Sequence, residues 1–152
     1  MKIRLHTEDL KSALNKVLSV VDKRNSRPIL TYTLIETSNG KLNISATDLE
    51  VSSKVVINAE VDNPGRFCVN AKNIFDILKE LPGTEIELSL DDESNTLKLN
   101  CGDIHYSLLI YKADDFPQLV FNQDVNKFKL SSEQLTNIIN KTSYAVLNDE
   151  TR

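Results

Sequence analysis

Residues 3–21 read Ile-Arg-Leu-His-Thr-Glu-Asp-Leu-Lys-Ser-Ala-Leu-Asn-Lys-Val-Leu-Ser-Val-Val, and residues 128–146 follow the same order at a constant offset of 125 positions. Leu5/Leu130, Glu8/Glu133, Leu10/Leu135, Asn15/Asn140, Lys16/Lys141 and Val21/Val146 are identical pairs, and Arg4/Lys129, Thr7/Ser132 and Leu14/Ile139 are conservative ones. Self-similarity at the spacing of a domain reads as tandem copies of one structural unit. The second copy holds an opening strand and helix. The expectation is therefore one whole unit over residues 1–125 and the start of another over 126–152.

Within the first unit the hydrophobic pattern alternates between two periods. Residues 2–6 alternate as a strand, and Thr7, with Glu8 and Asp9 in the first turn, opens an amphipathic helix. Its stripe of Leu10, Ala13, Leu14, Val17, Leu18 and Val21 has helical spacing. Strand-like runs follow near 29–37, 41–47 and 50–60, punctuated by Ser38-Asn39-Gly40 and the Asp48 region. After the Asp62-Asn63-Pro64-Gly65 turn the order recurs. A strand at 66–69 leads through Asn70 as N-cap into a second helix, with Ile74, Ile77, Leu78 and Leu81 inward and Pro82-Gly83 as the stop. Strands near 85–91, 95–101 and 104–111 complete the unit, turning at 91–95 and at Gly102-Asp103. Two strand-helix-three-strand halves, each offering a helix to one face of an antiparallel sheet, make an α+β domain with internal pseudo-twofold character.

Few kinds of chemistry suit this chain. No apolar run approaches the roughly 20 residues of a membrane span, and the N-terminus lacks the apolar core of a signal peptide, so a cytoplasmic location is expected. Cys68 and Cys101 are too few and too far apart for a disulfide framework or a zinc site, and read as reduced thiols inside strands. His6 and His105 sit in strands with no carboxylates at metal-ligand spacing, and no glycine-rich phosphate loop is present. Asp48 and Glu50 in Thr47-Asp48-Leu49-Glu50 are the one pair imaginable as metal-binding carboxylates of a small nuclease-like hydrolase, but acids flanking a turn are more often solvated or turn-capping. Asp91, Asp92 and Glu93 read as an acidic hairpin tip.

The charges are unevenly placed. A net charge of −4 argues against nucleic-acid affinity for a lone domain. However, the polar face of the first helix carries Lys11, Ser12, Asn15, Lys16 and Ser19, with Glu8 and Asp9 confined to the turn where the helix dipole favours them. Lys23, Arg24 and Arg27 crowd the loop that follows. The second helix adds Lys72 and Lys79, diluted by Asp76 and Glu80. Taken alone, the pattern also fits an ordinary solvated helix face beside a basic loop.

Four segments together carry a resemblance: Arg27-Pro28-Ile29-Leu30; residues 42–50, Leu-Asn-Ile-Ser-Ala-Thr-Asp-Leu-Glu; residues 67–82, Phe-Cys-Val-Asn-Ala-Lys-Asn-Ile-Phe-Asp-Ile-Leu-Lys-Glu-Leu-Pro; and Ala113-Asp114-Asp115-Phe116-Pro117. In this order and spacing they are similar to the bacterial DNA polymerase III beta subunit, the replicative sliding clamp. The resemblance implies the DNA clamp fold, no catalytic site and no cofactor. It also implies a three-domain subunit pairing head to tail into a homodimeric ring, with sheets outside and helices lining a hole around double-stranded DNA. Implied DNA contacts are Arg24, Lys23 and Arg27 in the loop and Lys11, Lys16, Lys72 and Lys79 on the helices. Tyr106 and Leu108 match an edge-strand pair at the dimer interface, and Arg152 matches an arginine at the edge of the pocket for peptides of the polymerase III alpha subunit and the clamp loader. Asp103 stands where a cation is familiar, so a salt bridge there is in question. A sheet-edge adaptor module is a further alternative, alongside the hydrolase.

Overall fold

The computed structural model describes residues 1–21, 27–91, 93–119 and 128–146. The chain divides into two compact units, residues 1–119 and 120–152.

In the first unit, β1 (Lys2–His6) runs into α1 (Thr7–Leu18), and a 3-10 turn (Pro28–Thr31) leads to the meander β2 (Tyr32–Ser38), β3 (Lys41–Thr47) and β4 (Ser52–Asn58). A short β5 (Glu60–Asn63) intervenes. The order then repeats as β6 (Arg66–Asn70), α2 (Ala71–Glu80), β7 (Glu85–Asp91), β8 (Thr96–Cys101) and β9 (Ile104–Lys112). All ladders are antiparallel, in the spatial order β4-β3-β2-β6-β9-β8-β7-β1-β5. Each half lends its leading strand to the other: β6 pairs with β2 of the first meander, and β1 pairs with β7 of the second. Nine strands laid flat at about 4.8 Å spacing would put β4 and β5 nearly 40 Å apart. Only Ala59 separates them in sequence, so the sheet must curl until its ends meet.

Both helices pack on the concave side. α1 touches β1, β3 and β4, strands from both ends of the sheet, as well as α2, while α2 touches β2 and β6. Leu10, Ala13, Leu14 and Val17 of α1 and Ala71, Ile74 and Leu78 of α2 are buried against Ile35, Leu42, Ile44, Phe67, Val69, Ile86, Leu88, Leu97 and Leu99. Leu18, Val21 and Ile77, expected inward, are only half-buried, because they lie at the margins of the stripes. Removing a fully buried leucine such as Leu78 would cost about 2–5 kcal/mol.

The turns follow their residue types. Asn39 and Gly40 have φ of 50° and 71°, as a two-residue type I′ hairpin between β2 and β3 requires. The Oδ1 of Asn70 accepts the backbone N–H of Asn73 at 3.0 Å, capping α2, which ends before Pro82 as expected. Cys68 and Cys101 are buried free thiols, and burial pushes the Cys68 thiol up to about 12.

Several expectations are revised. Residues 29–31 are a 3-10 turn rather than strand, since Pro28 can donate nothing to a ladder and presets a helical φ. The run 50–60 is broken into β4 and β5 at opposite ends of the sheet, because period-2 alternation records which face is buried and not which neighbour is paired. Thr7 opens α1 as expected, as its first helical residue. It is buried, and its Oγ1–H and backbone N–H both donate to the Thr84 carbonyl, which satisfies the first turn from outside the helix.

In the second unit, α3 (Ser132–Thr142) starts with a capping box. The Ser131 hydroxyl accepts Gln134 N–H at 3.1 Å, and the Gln134 side chain accepts Ser131 N–H at 3.1 Å. Residues 128–130, expected as a strand, form no ladder, because a strand exists only beside a partner that takes up its N–H and C=O groups. Leu135, Ile138 and Ile139 are each about half exposed.

Candidate nucleic-acid interface

The side of α1 and α2 turned away from the sheet is the candidate site. The same 3.6-residue period that buries Leu10, Leu14 and Val17 leaves Ser12, Asn15, Lys16 and Ser19 exposed, and the burial of Ile74 and Leu78 leaves Lys72 and Lys79 exposed. A groove of about 430 Å³ runs between the helices, lined by Asn15, Leu18, Ser19, Val21, Lys72, Phe75, Asp76 and Lys79. Contact between α1 and α2 thus brings residues more than fifty positions apart onto one surface.

The lysines on this surface are not equivalent. Lys11 Nζ lies 2.5 Å from Glu8 Oε1, and Lys79 Nζ lies 2.7 Å from Asp76 Oδ1, both at i,i+3 spacing. Lys79 also stands 5.1 Å above the Phe75 ring, within cation–π range. The hydrogen bond from Lys79 holds the Asp76 carboxyl below the ordinary carboxylate range, aided by the charges of Lys79 and Lys72. Lys16 and Lys72 are exposed and make no ion pair among the described residues. Sequence reasoning grouped all four as one basic face. It missed Phe75 as the seat of Lys79, although the spacings Glu8/Lys11 and Asp76/Lys79 were signals for the pairing.

Arg27 is exposed, and its carbonyl accepts Leu30 N–H at the start of the 3-10 turn. Lys23, Arg24 and Arg152 lie outside the described residues.

The other singled-out residues are placed as follows. Tyr106 and Leu108 lie on β9, whose first stretch, Ile104–Leu109, pairs among the described residues with β8 alone; β6 joins at Ile110–Lys112. Ile104–Leu109 is therefore an open edge in the middle of the strand order. Ile104 and Tyr106 are 38% and 37% exposed, whereas Leu108 is half-buried against the core. Asp103 is exposed at the β8–β9 turn and has no ion pair with a described residue. Asp48 caps its own turn: Oδ1 accepts Glu50 N–H at 2.9 Å and Val51 N–H at 2.6 Å, and these bonds lower its carboxyl pKa. One carboxylate oxygen is thus engaged by backbone, and among the described residues no cluster of three or more His, Cys, Asp or Glu suits a metal ion. The hydrolase reading of Asp48 and Glu50 thus finds no support. His105 Nδ1 is 2.9 Å from Asn100 Oδ1, a surface contact. No helix among the described residues is long and apolar enough to cross a membrane.

Comparison with known proteins bears on the family and the fold. Residues 1–120 match the family described as DNA polymerase III beta subunit, N-terminal domain. Over its whole length the chain is 34% identical to the beta sliding clamp of Chlamydia pneumoniae and 31% identical to that of Caulobacter vibrioides, spanning 41% of each. Among solved structures, the sliding clamp of Caulobacter crescentus superposes with a TM-score of 0.93 at 30% identity, covering 99% of this chain and 41% of that one. The clamp of Bacillus subtilis, at 24% identity, shares the fold with a TM-score of 0.94. The chain spans about two-fifths of the length of these relatives, and it belongs to the DNA polymerase III beta subunit family, with residues 1–120 as the N-terminal domain.

Proposed function

We propose that this chain supplies the first domain of a DNA sliding clamp, residues 1–125, with residues 126–152 opening the second. The observation that carries the proposal is the match of residues 1–120 to the family's N-terminal domain, together with the likeness to a solved clamp at a TM-score of 0.93. The protein containing it encircles duplex DNA as a head-to-tail homodimeric ring and has no catalytic step of its own. It tethers the polymerase III alpha subunit after a clamp loader has closed it around a primer terminus, and this role places it in the cytoplasm. Lys11, Lys16, Lys72 and Lys79 face the DNA from the helices, and Lys23, Arg24 and Arg27 reach phosphates from the loop. Enclosure, rather than contact, provides retention, so a chain with a net charge of −4 can serve. Tyr106 and Leu108, on the open edge of β9, take part in subunit pairing, because an unpaired strand edge is a template for another strand. Arg152 borders the pocket for partner peptides.

Topological retention is the test. A longer protein containing this chain, loaded on nicked circular DNA, should survive a high-salt wash and be lost when the circle is linearised. Salt-sensitive binding that is indifferent to linearisation would overturn the proposal.

A further inference from the structure

The helices α1 and α2 carry as many acids as bases. α1 holds Glu8, Asp9, Lys11 and Lys16, and α2 holds Lys72, Asp76, Lys79 and Glu80. The two paired acids differ in setting. Glu8 sits in the first turn of α1, where the helix dipole already compensates a negative charge, whereas Asp76 sits in mid-helix, where it does not. Positions 72, 76 and 79 fall on one face, and all three line the groove. Asp76 therefore stands one turn from each of the two α2 lysines. It binds Lys79 at 2.7 Å and keeps that ammonium over the Phe75 ring.

Resting on the reading of this surface as a DNA-facing one, we propose that Asp76 attenuates its grip: it holds Lys79 back from phosphate and leaves Lys16 and Lys72 as the lysines that engage. A phosphate approaching Lys79 must either displace the Asp76 carboxylate or accept it as a like-charged neighbour, and both are unfavourable. Each lysine engaged with duplex adds about 0.9 to the slope of log affinity against log salt, so withholding one keeps the contact weak and quickly broken. A surface that must pass along duplex without stopping gains from this.

The test is binding of the 152-residue chain to a fluorescent random-sequence duplex of about 20 base pairs across a low-salt series, with circular dichroism confirming that each variant is folded. Asp76→Asn should tighten binding about five- to tenfold at roughly 50 mM salt and steepen the slope by about one. In a Lys79→Ala background the same change should have almost no effect, since the lysine it releases is gone. An equal gain with and without Lys79 would overturn the proposal, because it would assign the effect to simple repulsion of phosphate by Asp76. No gain from Asp76→Asn while Lys72→Ala and Lys16→Ala still weaken binding would also overturn it, leaving the DNA-facing surface intact. If none of the four variants changed binding, the DNA-facing reading of the helices would fall with it.

Discussion

The Asp91 carboxylate accepts a hydrogen bond from Lys98 at 2.8 Å and another from the Ser94 N–H at 3.3 Å, and these partners pull its pKa down to about 2. In the unfolded chain it titrates near 4. A depressed folded-state value stabilises the fold fully above about pH 4, and that stabilisation is lost as the pH falls through about 2. Thermal melts of wild-type and Asp91→Asn chains should accordingly differ at neutral pH and converge near pH 2; a gap that is constant with pH would contradict the pairing. Thr7 offers the complementary case of an uncharged buried contact. With its hydroxyl donating to Thr84 and its side chain fully buried, Thr7→Val should cost about 1 kcal/mol in urea unfolding. Neutral behaviour would mean that the hydroxyl is satisfied equally well in the unfolded state.

Among the elements, β9 has two duties along one strand. Leu108 packs against the core from the same sheet face as Ile104 and Tyr106, which are more exposed on the open edge. If this edge pairs subunits, Tyr106→Ala in a longer protein should weaken assembly by sedimentation while leaving thermal stability nearly unchanged. Leu108→Ala should weaken both, at about 1–2 kcal/mol of stability, below the range for a fully buried leucine. The α3 helix is at the other extreme. Its 11 residues include no buried side chain, and a helix of that length is marginal without packing even with its capping box. Amide exchange should be fast across Ser132–Thr142 and slow in β2, β3, β7 and β8; slow exchange in α3 would show that its stripe is covered in solution.

At the scale of the molecule, the proposed DNA-facing surface draws on a loop as well as on helices. Arg24, outside the described residues, is an expected phosphate contact. Arg24→Ala in a longer protein should flatten the salt dependence by about one unit for any base sequence, and a sequence-dependent loss would remove it from that role. What the sequence determined by itself was local: the stripes of α1 and α2, the Asn70 cap, the stop at Pro82, the Asn39-Gly40 hairpin and the strand-helix-three-strand rhythm. Each is set by residues within a few positions, where periodicity and turn chemistry act directly. The residue types of the basic surface were also legible, down to the diluting acids. Only the tertiary structure decided that β1 and β6 exchange halves, that Ser52–Asn58 and Glu60–Asn63 part to opposite ends of a curled sheet, and that Thr7 is bonded by Thr84. It also decided which lysines pair with acids among the described residues, since that depends on the rotamers that set Lys79 over Phe75 and against Asp76. Strand partners and side-chain pairings are chosen among many near-equal local options by the burial of the whole core, and a pattern of period two or 3.6 does not encode that choice.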